Sequence, residues 1–308
     1  MPRFSIVIPV FNKEKFVAKT LKSVLSQTFA DFEIIVINDG STDKSEAEIL
    51  AVVDERIRYF SKKNEGVAVA RNFGISKASA DYICFLDADD FWFTSFLATM
   101  NEYIQKFPDE SVFACAIEIE TNKKTIPAQY SFDKRSEFEI VNFFEASQKE
   151  AVLWTSSVCI HKDVFIKCGV FDEQLNVSED TDLWIRIGLH YQVVFIWQIL
   201  ARYVFDENSI SRNLNYIFED AFFEKYISEE KQNPALKKYM DLNRFSTVIK
   251  SSMNGNWKTS LEVCAEIDLK NLTKKKRILL ELPPIMLKPL IRFQRFLVNI
   301  GIGNSVFR

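Results

Sequence analysis

Glycine is scarce in this chain: eight among 308 residues, at positions 40, 66, 74, 169, 188, 255, 301 and 303. No GxxxxGK[ST] stretch exists, which excludes the phosphate-cradling loop of the common ATPases. The one G-x-G, at Gly301 and Gly303, has no strand-turn-helix around it and is no dinucleotide fingerprint. HExxH, GxSxG and EF-hand patterns are absent too. The five cysteines (Cys84, Cys115, Cys159, Cys168, Cys264) form no CxxC pair and are odd in number. Buried free thiols in a reducing, cytoplasmic setting are therefore expected. Only two histidines occur, His161 and His190, without a partner visible in sequence, and both are assigned surface or structural roles. No run of 18 apolar residues is present, so no segment is expected to span a membrane, and the apolar run near Met1 is too short for a signal-peptide core. Nor is there a bulk excess of either charge. The 39 basic and 42 acidic residues leave −3, which argues against a nucleic-acid partner.

What is present is apolar. Hydrophobic residues make up 47% of the chain and Phe alone contributes 28, enough for a sizeable core. The length corresponds to two domains at ~150 residues each. Residues 4–10, 32–37, 57–60 and 82–86 read as short buried strands, and residues 13–29, 45–53 and 67–78 read as helices between them. That alternation predicts a parallel sheet covered on both faces. Further strands are expected at 112–120, 157–160 and 193–196, with a helix at 180–189. Beyond residue 216 the pattern is helical, with candidates at 219–230, 235–252 and 257–267. The change of character divides the chain into residues 1–210 and 211–308.

In open sheets of this kind ligands bind outside the carboxyl ends of the strands. Two polar clusters sit there, residues 38–43 and 87–90. Asp87-Ala88-Asp89-Asp90 puts three carboxylates on one turn, and the i, i+2 pair Asp87 and Asp89 can converge. With few glycines to cradle a diphosphate, a divalent cation held by one or two carboxylates is the expected device. A solvated acidic turn, or Asp90 as a helix N-cap, explains the same residues. The second cluster, 178–182, leads into a helix. There acids are favoured by the macrodipole, while one of Glu179 and Asp180 could serve as a base.

Together these pieces resemble the inverting, nucleotide-sugar-dependent glycosyltransferases of family 2, which have the GT-A fold, a Rossmann-like, mostly parallel sheet flanked by helices. The matching stretches are SIVIPVFN at 5–12, INDGSTD at 37–43, NEGV at 64–67 with Ala70-Arg71-Asn72, FLDADD at 85–90, and EDTDLWIR at 179–186. The resemblance covers about residues 3–210. It implies that Asp39 accepts a hydrogen bond from the base, usually uracil, and that Phe11 packs on its ring without the phenol that many members carry. Pro9, Asn64, Gly66, Arg71, Asp87 and Ala88 would complete the nucleotide-sugar site, and Asp89 would hold Mn²⁺ or Mg²⁺ against the diphosphate. Asp180 would be the catalytic base. Glu179, Trp184, Arg186 and Trp154 would lie on the acceptor side, the tryptophans stacking on sugar faces or, for at least one, packing in the core.

The implied activity is a hexosyl transfer from a UDP-sugar to a glycan or lipid-linked hydroxyl in surface polysaccharide, lipopolysaccharide or capsule synthesis. QxxRW and spanning helices, which mark processive members, are absent, so transfer would be non-processive. A nucleotidyltransferase would need a Gly-rich basic loop that is missing. A non-catalytic binding relative is opposed by the intact Asp39, Asp89 and Asp180. The near-neutral total conceals an imbalance: residues 270–308 hold nine basic residues and one acid, a local +8, leaving −11 for the rest. Interleaved with Ile285, Met286, Leu290 and Phe293, this tail is expected to touch an anionic membrane at the inner face of the cell membrane. Packing back on the protein or on a dimer partner is the alternative, and the helical third is the expected place for any self-association.

Overall fold

Strand β1 (Phe4–Val10) is buried along its whole length, because it has a neighbour on each edge and helices on each face. In this computed structural model, which describes residues 1–121, 124–175, 177–204 and 220–299, β1 pairs in parallel with β2 (Phe32–Asp39) and with β4 (Tyr82–Phe85). β3 (Ile57–Lys62) adds a fourth parallel strand beside β2. The crossovers are α1 (Val17–Leu25), α2 (Ser45–Leu50) and α3 (Val67–Lys77).

Side-chain alternation sorts the apolar residues into two layers. Phe4, Ile6, Ile8 and Val10, with Ile34, Val36 and Cys84, face α1, α2 and α4 (Phe96–Lys106). Val7, Ile35, Ile37, Ile83 and Phe85 face α3, α5 (Phe143–Ala146), α6 (Lys162–Cys168) and α7 (Glu179–Gly188).

The remaining strands are β5 (Phe91–Trp92), β6 (Val112–Glu120), β7 (Thr125–Pro127), β8 (Phe138–Val141), β9 (Val158–His161) and β10 (Val193–Tyr203). Among the described residues they complete a ten-stranded sheet of order β3-β2-β1-β4-β9-β6-β10-β5, with β7 on β6 and β8 on β10. The parallel expectation holds for β1 to β4 and for β6 with β10. It fails for β9, which runs antiparallel to both neighbours, and for β5, β7 and β8. A strand buried on both faces carries no directional signal in its composition, so the second half of the sheet is mixed.

Three boundaries also differ from the sequence reading. The helix expected at 13–29 contracts to α1, because the Lys13 and Glu14 amides donate to Ser45 Oγ and Asp43 instead. β10 continues past 196 through register shifts between Ile196 and Ala201 that mask its alternation. The helix expected at 219–230 is two, α8 (Asp220–Glu224) and α9 (Ile227–Gln232), interrupted at Lys225 and Tyr226. Residue 219 and the division at 210 lie outside the described residues.

The C-terminal helices are α10 (Pro234–Asn254), α11 (Trp257–Ala265), α12 (Lys274–Glu281) and α13 (Pro284–Asn299). Asn233 caps α10 by accepting from the Ala235 and Leu236 amides, and Gly255 ends it with φ 80°. Leu236, Met240, Phe245, Ile249, Leu287 and Ile291 join the same apolar cluster as Val7 and Ile35. Catalytic sheet and helical third therefore share one core. Within the helices Arg244, 1% exposed, donates to both oxygens of Glu230 at 2.7 and 2.6 Å. Among the described residues no helix is long and apolar enough to cross a membrane.

Candidate active site

Three adjacent parallel strands end on one edge, and their ends carry the polar clusters. Asp39 closes β2 and is followed by Gly40 at φ 72°. A Cβ at Gly40 would stand 2.6 Å from the Asn64 backbone nitrogen, so only glycine lets the two loops touch. Asp39, 3% exposed, accepts from the Glu65 amide (3.1 Å), the Gly66 amide (2.9 Å) and Lys62 Nζ (2.6 Å). Gly66 also starts α3, whose dipole favours a negative charge there. Beside this edge Phe11 is 45% exposed. It is anchored by Asn12, a left-handed residue (φ 53°) whose side chain accepts from the Thr42 amide at 2.8 Å.

Asp87 to Asp90 divide their work by depth. Asp90 is 2% exposed and accepts from Ser156 Oγ (2.5 Å) and the Val204 amide (3.2 Å). Burial, with Asp87 and Asp89 close by, pushes its carboxyl well above the usual range. It caps no helix, because the following residues form β5. Asp89 pairs with Lys13 Nζ at 2.6 Å, and burial still raises its carboxyl, against the pull of Lys13. Asp87 keeps a side chain 33% exposed and accepts from Arg71 Nη2 at 2.7 Å. No cluster of three or more His, Cys, Asp or Glu able to hold a metal occurs among the described residues. A site built from one or two carboxylates plus substrate phosphates needs no such cluster. The Lys13 ammonium already balances Asp89 at 2.6 Å, so a divalent cation held by Asp89 and Asp87 would take the place of that ammonium.

Arg71 connects this turn to α7. The side chain is buried, its Nη1 donates to Glu179 Oε1 at 2.7 Å, and its guanidinium lies 5.2 Å from the Phe171 ring centre. Its Nε is buried without a partner. Glu179, 8% exposed, has its carboxyl lifted to about 7 by burial first and the Asp180 charge second, against Arg71. Asp180 is half-buried, and its Oδ1 accepts from the Thr181 amide at 2.5 Å. The helix carrying both begins at Ser178, a left-handed residue at φ 73°.

A carboxyl whose folded pKa is raised contributes stability that is complete below its unfolded value, 4.5, and lost as pH climbs through about 7. Wild-type unfolding free energy is expected to fall by up to about 3 kcal/mol between roughly pH 5 and pH 8 on this account. Glu179→Gln should flatten that slope in urea unfolding at the two pH values. An unchanged slope would remove Glu179 as its source.

The sequence model of Glycosyl transferase family 2 matches residues 5–175, the segment that holds β1 to β9 and the acidic turn. The chain belongs to that family. An uncharacterized glycosyltransferase of Rickettsia conorii is 31% identical over 237 residues, covering 73% of this chain and 38% of the relative. A second, from Rickettsia typhi, is 30% identical over 220 residues, covering 71% of this chain and 69% of that one. The chain thus spans about two-fifths to two-thirds of these relatives' lengths. Among solved structures, S. aureus TarS residues 1–349 in complex with UDP-GlcNAc superposes with a TM-score of 0.73 at 17% identity, covering 91% of this chain and 86% of that one. The fold is GT-A, and coverage that wide extends past the family match into the helical region.

In this family 2 chain Asp39, Gly66, Arg71, Asp87, Asp89, Glu179 and Asp180 gather along one edge. The others are placed as follows. Pro9 is buried within β1, and Ala88, 3% exposed, has its carbonyl committed to Thr20 Oγ1 at 2.9 Å. Both side chains are buried at the edge. Asn64 is exposed on its loop. On the acceptor side Glu179 turns inward to Arg71, and Trp184, 2% exposed, packs in the core near Phe171. Arg186 spends its donors on Asp182 and on the Val170 and Cys168 carbonyls. Trp154, half-buried and edge-on to Tyr203 at 5.2 Å, keeps some accessible surface, as does the Arg186 side chain at 19%. His161 caps α6 and His190 is exposed.

Four participants escape the sequence reading: Lys13, Lys62, Ser156 and Asp182. Lys13 follows the first motif directly and could have been found by asking what neutralises Asp89. Asp182 is fully buried and meets Arg186 Nη2 (2.7 Å), Lys225 Nζ (2.6 Å) and the Tyr226 hydroxyl (2.6 Å). Its position two residues after Asp180 in a helix places it on another face, which the spacing alone does reveal.

Proposed function

We propose that this family 2 glycosyltransferase moves a sugar from a UDP-sugar to an acceptor hydroxyl by one inverting displacement, with Asp180 as base. The observation that carries the reading is the Arg71 bridge. One buried guanidinium holds Asp87 of the acidic turn after β4 at one end and Glu179, the neighbour of Asp180, at the other. That spacing leaves Asp180 half-exposed within reach of whatever the acidic turn binds.

Asp39 and the fixed Glu65 and Gly66 amides, with the exposed Phe11 ring alongside, suit a flat base that has an N–H to donate. TarS is described in complexes with UDP-GlcNAc and with UDP, which supports a uridine donor. As the acceptor oxygen bonds to the anomeric carbon, the bond to the diphosphate oxygen breaks and its electron pair leaves with UDP. Asp180 takes the hydroxyl proton, and configuration inverts because the attack and departure are on opposite faces. When bound through Asp89 and Asp87, Mn²⁺ or Mg²⁺ supplies positive charge to the departing diphosphate. Transfer is non-processive, to a glycan or lipid-linked acceptor of a surface polysaccharide, lipopolysaccharide or capsule, in the cytoplasm at the inner face of the cell membrane.

UDP should raise the melting temperature, and raise it further with Mn²⁺, since a ligand that binds only the native state stabilises it. Differential scanning fluorimetry with UDP, GDP and dTDP, each with and without metal, reads this directly. No shift with any nucleotide under any metal would overturn the reading.

A further inference from the structure

The geometry points to the outward face of α13 as a docking surface for an anionic lipid bilayer. This deepens the membrane-face placement above, and it stands on observations separate from the donor site. α13 packs against α10 through Leu287 and Ile291, which are 1% and 0% exposed. On its other side Ile285, Met286, Leu290 and Phe293 are 83%, 55%, 44% and 59% exposed. Met286, Leu290 and Phe293 follow i, i+4, i+7 spacing and so form one continuous stripe. Single exposed apolar residues are ordinary on a protein surface, but four on one face of a helix whose opposite stripe is already packed are not.

Charge selects the occupant. Lys274 and Lys275 on α12 and Lys288 on α13 are exposed, and residues 270–308 carry +8 against −11 in the rest. A second copy docking face to face would bring like charge onto like charge, because a two-fold contact repeats the same patch. An anionic surface instead attracts the helix and repels the acidic body, so the molecule approaches tail first. The helix is too short and too basic to span, and it lies in the plane of the interface with its apolar face in the headgroup boundary.

The test is co-sedimentation of the full chain with vesicles of phosphatidylcholine alone or mixed with phosphatidylglycerol. Binding to the mixed vesicles is expected, with little to phosphatidylcholine alone, and salt should weaken it. The double variant Leu290→Glu with Phe293→Glu should bind the mixed vesicles at least about tenfold more weakly. Because both side chains are exposed, its melting temperature and its response to UDP should match wild type. Lys274→Glu with Lys275→Glu provides an independent variant and should also weaken binding while leaving the apolar face intact. Equal wild-type binding to both vesicle types, no binding to either, or unchanged binding by both variants overturns the proposal. So does light scattering that finds a wild-type dimer which Leu290→Glu with Phe293→Glu dissociates, since the face would then be a contact between copies. A failure here with UDP stabilisation retained leaves the donor reading in place.

Discussion

Asp180→Asn is expected to lower sugar transfer by ~10²–10⁴-fold while the UDP-induced rise in melting temperature persists. Asn has the size of Asp, and its carbonyl oxygen can still accept from the Thr181 amide, so the helix start is kept. What it lacks is a site basic enough to take the acceptor proton. In the proposed site donor recognition rests on other elements, the end of β2 and the turn after β4, while the hydrogen bonds of this side chain go to Thr181. Removing the Asp180 charge also removes one of the two causes that lift Glu179, so Glu179 should titrate lower in the variant. Initial rates with saturating donor, beside the UDP melting shift, separate the two effects. Turnover within about tenfold of wild type would mean that another group takes the proton.

Asp182→Asn should cost about 3–5 kcal/mol of unfolding free energy, the penalty for breaking a buried ionic cluster at one member. The carboxylate is fully buried between Arg186, Lys225 and Tyr226, and an amide cannot balance two cations. Lys225 is 36% exposed and can turn to water, which limits the loss toward the lower figure. The effect should also reach catalysis. Asp182 is where the link between α8 and α9 grips α7, so a variant that still folds should lose turnover without losing UDP binding. Urea unfolding measures the first effect, and a loss under about 1 kcal/mol would show that the cluster contributes little.

Much of the donor edge can be read from sequence because β1, β2 and β4 are apolar on both faces and stop abruptly at polar residues. A strand of that kind has few alternatives, and the position of its carboxyl end follows. β5, with two residues, and β7, with three, are too short to show any period. α4 buries Phe96, Leu97, Met100, Tyr103 and Ile104 at regular helical spacing, so its pattern was legible in the sequence. The direction of β9 is invisible for the reason given by its burial. The candidate site divides in the same way. Carboxylates announce themselves by clustering, whereas Lys13 and Lys62 look like surface lysines until the fold sets them against Asp89 and Asp39. Trp184 packs in the core, as was expected of at least one of the two tryptophans, and Arg186 turns to Asp182. In α7 only the first turn approaches the site, and the next turn enters the core.

The Arg71 bridge also bears on the order in which the site can close. Asp39 meets Lys62, Glu65 and Gly66 across 23 to 27 residues, and Asn12 meets Thr42 across 30. Arg71 meets Glu179 across 108, and Asp90 meets Val204 across 114. Each doubling of a loop adds only about 0.6 kcal/mol to its closure, yet long-range contacts dominate the time a chain takes to fold. The base-binding edge is thus a local product of the first 70 residues. The α7 edge requires most of the sheet, and a chain that has closed only the first has not yet brought Asp180 toward the acidic turn.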